Sequence, residues 1–111
     1  MLKQRRFPDA QAELLLVVKH RPDLGEAWGD LASAANENMQ YELALKAMDE
    51  RDKLLPPPAI ESFLRATCLD HLHLRKEAAA AYHHFLETAK GQYPDQEWAA
   101  RHRIIALEPK K

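Results

Sequence analysis

Glycine, cysteine and long apolar runs are all scarce in this chain. Three of its 111 residues are glycine, and the single cysteine is Cys68. One cysteine cannot form an internal disulfide, so the sequence gives no sign of the disulfide-stapled scaffolds found among secreted proteins. The apolar run from Leu14 to Val18 spans five residues, which is too short for a signal-peptide core or a membrane span. These features favour a cytoplasmic location and leave the compartment open.

The chain also lacks a large net charge of either sign. Sixteen basic and seventeen acidic side chains give a formal net charge of −1. Proteins that bind nucleic acid through its phosphates normally carry a basic excess on one face, so a nucleic-acid partner is not expected. Apolar residues make up 46% and charged residues 30% of the chain, which is typical of one small globular domain.

A constant spacing relates several positions along the chain. Ala10, Ala44 and Ala78 follow it, and each is followed four residues later by a bulky apolar residue. Pro22 and Pro56 are separated by the same distance. A fixed period of this length, about 34 residues, is the signature of a repeat built from helix pairs.

Prolines divide the chain into helical segments. They occur near residues 22, 56–58 and 94, and the segments between them are rich in helix-forming residues. The sequence therefore predicts six helices and no strand. The expected ranges are 8–20, 24–37, 41–54, 59–72, 75–89 and 95–107. Because the connections are short, neighbouring helices are expected to be antiparallel.

Residues 25–58 resemble one tetratricopeptide repeat. The matching residues are Trp28, Leu31, Ala32, Tyr41, Ala44, Met48 and Pro56. Small residues at such positions let two helices approach closely, while large ones fill the remaining gap. The resemblance implies an all-α solenoid, in which antiparallel helix hairpins form a right-handed tetratricopeptide superhelix of about six helices.

The rest of the chain fits the same family less completely. Residues 59–90 are similar to a degenerate repeat, with Ser62 and Arg65 where tryptophan and leucine are expected. Residues 7–22 resemble the second helix of an incomplete repeat, and residues 95–107 resemble the helix that caps a last repeat. The resemblance thus implies a single tetratricopeptide domain over the whole chain.

In this family, a groove lined by the first helix of each pair binds a peptide or a partner protein. The resemblance carries this role onto positions expected to face away from the second helix. They are Glu26, Gly29, Asp30, Ser33, Asn36 and Glu37, and in the degenerate repeat Ile60, Phe63, Leu64, Thr67, Asp70 and His71. The expected ligand has an apolar anchor and some positive charge. The alternatives are a solvated face for the charged set and core packing for Ile60, Phe63 and Leu64.

The first helix is expected to be apolar on more than one side. One face carries Ala10, Leu14, Val17 and Val18. Leu15 and Leu16 point away from that face, and a helix apolar around most of its circumference expects further cover. Either the chain is a piece of a longer solenoid, or a second copy covers Leu15 and Leu16 in a homodimer. Tolerated exposure of these leucines is the third alternative.

The run Cys68-x-x-His71-x-His73 is the strongest hint of chemistry. On a continuous helix His73 points about 200° away from His71, and structural zinc requires four converging ligands. The sequence therefore predicts no metal site and no cofactor, and treats Cys68 as a buried small residue rather than a nucleophile. We expect a non-catalytic scaffold for protein-protein interaction. Self-assembly, or metal binding by Cys68 and the histidines, are the alternatives.

Overall fold

A computed structural model describes the backbone of residues 2–109 and the side chains of residues 9–109. The described residues form six α-helices and contain no strand, so the predicted all-α class is confirmed. The helices are α1 (Leu2–His20), α2 (Gly25–Glu37), α3 (Tyr41–Leu54), α4 (Ala59–His71), α5 (Arg75–Ala89) and α6 (Pro94–Leu107). They divide into two compact units, unit 1 (Met1–Pro57) and unit 2 (Pro58–Lys111). Within each unit, helices that follow one another pack together.

The helix boundaries agree closely with the predicted ranges, with one exception. Every boundary from α2 to α6 lies within one residue of its prediction. Helix α1 begins at Leu2 rather than at residue 8, which is a proline. Proline favours the first turn of a helix, but the lysine, glutamine and arginines that precede it are good helix formers.

The repeat spacing is present in the helix boundaries as well as in the side chains. Helices α2 and α4 begin at Gly25 and Ala59, and α3 and α5 begin at Tyr41 and Arg75. Both pairs are separated by the same interval as Ala44 and Ala78. The α2–α3 hairpin and the α4–α5 hairpin are therefore successive copies of one structural pattern, each contained in its own unit.

The turns inside the two hairpins repeat the same hydrogen bonds. In unit 1, Met39 takes a left-handed conformation with φ of 62°, and the next amide, of Gln40, donates to the Ala35 carbonyl at 2.7 Å. In unit 2, His73 has φ of 64°, and the Leu74 amide donates to the Leu69 carbonyl at 3.0 Å. A left-handed residue after a helix usually is glycine, because other residues meet steric strain there. In both hairpins, however, this position is occupied by a residue with a large side chain, Met39 or His73.

The core of unit 1 depends on small residues. Ala32 and Ala44 are buried as predicted, and Leu31 and Met48 fill the space beside them. Gly25 lies close to Leu55 at the start of α2, and a Cβ atom there would lie 2.7 Å from Leu55 Cδ1, so a larger residue would force a shift. These residues let α2 and α3 cross closely.

The core of unit 2 is aromatic. Phe85 is fully buried, and its ring centroid lies 5.2 Å from that of Phe63 and 6.0 Å from that of Tyr93. Tyr82 is buried beside them, with its ring 6.0 Å from that of Phe63. Edge-on and tilted arrangements at these distances are favourable for aromatic rings. The buried carboxylate of Glu97 accepts hydrogen bonds from the backbone amides of Gly91 and Tyr93, which precede α6.

No helix in the part of the chain that the structure describes is both long enough and apolar enough to cross a membrane.

Candidate functional site

A cavity of about 370 Å³ lies between α1 and α2 in unit 1. We call it the unit 1 groove. Its lining residues are Ala10, Leu14, Asp30, Ser33, Ala34 and Glu37. Three of the six predicted partner-binding positions of residues 25–58 are thus brought together at one cavity. Ala10 and Leu14, which α1 contributes, were predicted to lie on an apolar helix face but not to take part in binding.

The unit 1 groove combines an apolar wall with two carboxylates. Ala10 and Leu14 form the apolar side, contributed by α1. Asp30 and Glu37 are exposed on α2 and lie seven residues apart, which is about 10 Å along a helix at 1.5 Å per residue. Ser33 lies between them in sequence, and its side chain is too small to fill the space between the two carboxylates. The groove can therefore hold an apolar group and two cationic groups at once.

The other predicted positions of α2 lie outside the lining of this groove. Glu26 is exposed and Asn36 is half-buried. Gly29 is covered by a side chain from α3, because a Cβ atom at Gly29 would lie 3.1 Å from Arg51 Nε. Gly29 therefore faces the second helix of its own hairpin, whereas it was predicted to face away from that helix.

The predicted positions of α4 divide between the core and a second cavity. Ile60 and Phe63 pack against the core of unit 2, as the packing alternative expects. Leu64 is half-buried, and its carbonyl accepts a hydrogen bond from Thr67 Oγ1 at 2.8 Å. Thr67 and His71 line the second cavity.

The second cavity has a volume of about 500 Å³ and is built entirely within unit 2. We call it the unit 2 cavity. Its lining residues are Thr67, Asp70, His71, His73, Tyr82 and Arg103. The Asp70 carboxylate accepts from Arg103 Nε at 2.7 Å and from Arg103 Nη2 at 2.8 Å. The Tyr82 hydroxyl donates to the same carboxylate at 3.2 Å. The two-point ion pair joins α4 to α6.

The protonation of these groups follows from their contacts. Burial alone would raise the pKa of Asp70, but the hydrogen bonds and charge of Arg103 outweigh it and hold that pKa below its usual value. Burial is also the largest cause of the raised pKa of Tyr82, and the neighbouring Asp70 charge adds to it. At neutral pH the cavity therefore contains a carboxylate, a guanidinium and a neutral phenol.

Sequence reasoning did not identify Arg103 as part of a site. It lies 33 residues from Asp70, on the helix expected to act only as a cap. Tyr82 was noted only as the bulky residue four positions after Ala78, and His73 was considered only for metal binding. Pairing of charges over such a separation leaves no local pattern in a sequence, because it depends on how α6 packs.

The histidines and the cysteine do not form a metal centre in the described part of the chain. Cys68 is fully buried, while His71 and His73 line the unit 2 cavity. No three His, Cys, Asp or Glu side chains of the described residues come together as metal ligands. Burial raises the pKa of the Cys68 thiol to about 11, against a smaller opposing effect of Arg65. The thiol is therefore protonated at neutral pH and is a poor nucleophile.

The leucines predicted for self-association lie at the surface of α1. Leu15 is 40% exposed and Leu16 is 58% exposed, and their neighbour Val17 is exposed as well. Val18 is buried against the rest of unit 1. Helix α1 thus presents large apolar side chains outward as well as inward.

Comparisons with protein-family models, with curated proteins and with solved structures find no match to this chain.

Proposed function

We propose that this chain is a non-catalytic, tetratricopeptide-like module that binds a peptide in the unit 1 groove. The observation that carries this proposal is the composition of that groove, where an apolar wall from α1 meets the exposed carboxylates of Asp30 and Glu37. Two hairpins related by a constant interval in the sequence support the repeat architecture.

The spacing of the two carboxylates restricts the ligand. Cationic side chains that pair with both Asp30 and Glu37 must be about 10 Å apart. An extended peptide covers that distance in about three residues, and a helical one in about seven. The proposed ligand therefore has two basic residues at one of these spacings and an apolar residue that contacts Leu14.

An array of short synthetic peptides tests this ligand. The peptides place two lysines at either the extended or the helical spacing, with and without a leucine between them, and an acidic array serves as a reference. We expect the protein to prefer the basic peptides that contain leucine, and the double variant Asp30→Lys, Glu37→Lys to lose that preference.

The matched control is the double variant Glu42→Lys, Glu87→Lys. It makes the same change in charge at exposed positions outside the groove. Equal loss of binding in both double variants would show that net charge, and not the groove, attracts the peptides. Binding that is unchanged in the Asp30, Glu37 variant would reject the groove as the site.

A second candidate function is self-assembly through α1. The outward leucines, Leu15 and Leu16, lie between an acidic residue, Glu13, and two basic ones, Lys19 and His20. In an antiparallel pair of α1 helices whose leucines meet in the middle, Glu13 of one copy lies near Lys19 and His20 of the other. The occupant of this face would be a second copy of the chain.

Light scattering over a wide range of concentration tests this second function. We expect a dimer that the double variant Leu15→Glu, Leu16→Glu converts to a monomer. The control variant Met39→Glu, Ile105→Glu changes two apolar residues that are more exposed and lie elsewhere, and it should remain dimeric. A wild-type protein that stays monomeric at high concentration would rule out self-assembly.

A further inference from the structure

Helix α6 exposes large apolar side chains on its outer side. Trp98 is 58% exposed and Ile105 is 67% exposed, whereas Ala100 and Leu107 of the same helix are buried in the core of unit 2. The indole of Trp98 lies against the ring of His102, with 3.8 Å between the ring centroids. We call Trp98, His102 and Ile105 the α6 face.

The equivalent side of the two earlier first helices is buried. Three alanines at the repeat interval are buried on α2, α4 and α6, namely Ala32, Ala66 and Ala100, so α6 continues the series of first helices. The position of His102 belongs to Ala34 in α2 and to Cys68 in α4. Both of these residues are buried, but His102 is exposed. The α6 face therefore lacks the cover that α2 and α4 have.

In unit 1, the helix that faces this side of α2 is α1. Ala34 lines the unit 1 groove together with Ala10 and Leu14, and α1 packs against α2. Helix α1 also has an outward side, where Leu16 is 58% exposed. Leu16 points about 200° away from Leu14 and from the buried Val18. Helix α1 can therefore contact α2 with one side and a helix of another molecule with the other.

The outward sides of α1 and α6 carry charges in the same order. On each helix an acidic residue lies three positions before the exposed apolar residue, and a basic residue lies three positions after it. These residues are Glu13, Leu16 and Lys19 in α1, and Asp95, Trp98 and Arg101 in α6. All six are exposed, and residues three apart lie on one side of a helix. If the two helices pair with the leucine against the tryptophan, an antiparallel arrangement places acid opposite base at both ends, and a parallel one places like charges together.

We propose that the α6 face binds the outward side of α1 from a second copy of this chain, with the two helices antiparallel and Leu16 against Trp98. In this register Ile105 lies opposite Asp9 of the other copy, and α1 extends further back, to Leu2, so the whole α6 face is covered. A symmetric pair of α6 helices centred on Trp98 would leave Ile105 beyond the start of the other helix. The contact is heterologous, because two different surfaces of the chain meet.

This interface goes beyond both functions proposed above. It does not involve Asp30 or Glu37, so the peptide groove can fail without affecting it. It shares Leu16 with the symmetric α1 pair, and one α1 helix can form only one of the two contacts. Ile105 belongs to the interface proposed here and not to a symmetric α1 pair, so the variant Met39→Glu, Ile105→Glu weakens this interface alone.

Exchange of acidic and basic residues separates the two kinds of contact. An antiparallel pair of identical helices keeps acid opposite base when the exchange is made in both copies. A pair of unlike helices loses that match when only one of the two is changed, and regains it when both are changed. The α1 reversal is Glu13→Lys, Lys19→Glu, and the α6 reversal is Asp95→Lys, Arg101→Glu. Neither reversal alters the net charge of the chain.

Sedimentation equilibrium at low ionic strength measures the association of these variants. We expect each reversal alone to weaken association about ten-fold, because two exposed ion pairs become two contacts between like charges. A variant with all four changes should associate as the wild type does. An equimolar mixture of the two reversed proteins should recover the association that neither shows alone, because each α6 then meets a matching α1.

Two further variants act as controls. Glu42→Lys, Lys46→Glu reverses two exposed charges of α3 and should associate as the wild type does. Trp98→Ala removes the apolar centre of the α6 face and should weaken association both in the wild type and in the protein with all four changes.

Several results would overturn the interface between α1 and α6. They are a wild type that stays monomeric at high concentration, a four-change variant that associates as weakly as the single reversals, and a Trp98→Ala variant that associates normally. An α1 reversal that associates as the wild type does would assign the leucines to a symmetric α1 pair instead. The α1 reversal decides between these interfaces even if the α6 reversal folds poorly. Peptide binding by the unit 1 groove, measured on the same variants, should stay unchanged.

Discussion

Units 1 and 2 use one hairpin pattern with different side chains at equivalent positions. Gly29 of unit 1 lies under Arg51, whereas at the equivalent position of unit 2 Phe63 packs on Phe85. In unit 1, a glycine and the arginine that covers it fill this place between the two helices of the hairpin. In unit 2, two aromatic rings fill the equivalent place. The backbone pattern therefore does not require one particular core, as long as the combined volume fills the gap.

The cavities of the two units differ in the same way. Ser33 and Glu37 line the groove of unit 1, and their equivalents in the next repeat, Thr67 and His71, line the cavity of unit 2. The unit 1 groove carries two carboxylates, while the unit 2 cavity holds an aspartate paired with an arginine, beside two histidines. The two cavities share these equivalent positions on the first helix of each hairpin, but α1 completes the unit 1 groove, whereas α5 and α6 complete the unit 2 cavity.

The largest expected difference between the units comes from their cores. Phe85→Ala removes a fully buried ring and should lower the free energy of unfolding of unit 2 by about 3–5 kcal/mol. The equivalent change in unit 1, Arg51→Ala, removes a half-buried side chain and should cost about 1 kcal/mol or less. Hydrogen exchange, measured separately on α3 and α5, reports each unit.

The control for this pair is the exchange of the unit that was not mutated. We expect Phe85→Ala to accelerate exchange in α5 far more than in α3. Equal acceleration in both helices would show that the units unfold as one cooperative body, and the comparison of separate cores would no longer hold.

A smaller effect is expected from Asp70, for which unit 1 has the uncharged Asn36. Asp70→Asn should cost about 1 kcal/mol at neutral pH, since the Asp70 side chain is 18% exposed but Arg103 is 46% exposed and partly screened. The pKa of Asp70 is lower in the folded protein than usual. Its contribution is therefore present above the unfolded value, about pH 4, and is lost as the pH falls through the folded value.

Urea unfolding from about pH 2.5 to neutral pH measures this contribution. The stability of Asp70→Asn should depend less on pH than that of the wild type at the acidic end of this range. Glu87→Gln removes an exposed carboxylate of α5 and serves as the control. A wild type and an Asp70→Asn variant with parallel pH profiles would mean that the ion pair with Arg103 contributes nothing.

The smallest effect is expected at the left-handed caps. Met39→Gly and His73→Gly relieve a positive φ of 62° and 64°, and each should stabilise the protein by about 0.5–1 kcal/mol. Similar gains from both would support the equivalence of the two turns, as measured by thermal unfolding. A loss of stability at either position would show that its side chain makes a contact worth more than the strain.

Much of the fold could be predicted from particular residues. The prolines near residues 22, 56 and 94 place the ends of the helices, and the spacing of Ala44 and Ala78 identifies the repeated hairpin. Such signals are local or periodic, so a sequence displays them directly. The early start of α1 at Leu2 was missed because a proline usually opens a helix.

The candidate sites were predictable only in part. Asp30, Ser33 and Glu37 share one helix face, and that periodicity was enough to group them. The same reasoning placed Gly29 and Phe63 beside them, although Arg51 covers one and Phe85 packs on the other. Helical periodicity gives the direction of a side chain, but it does not say which neighbour occupies that direction.

The sequence by itself determined the all-α class, the six helices and the repeat spacing, because helix formers, prolines and apolar spacing act over a few turns of chain. The tertiary structure decided which residues meet. Asp70 pairs with Arg103 because α4 and α6 both pack against α5. His73 lines the same cavity as His71, and the cap between them is left-handed. Contacts between distant residues depend on how whole helices pack, and packing is a property of the complete fold.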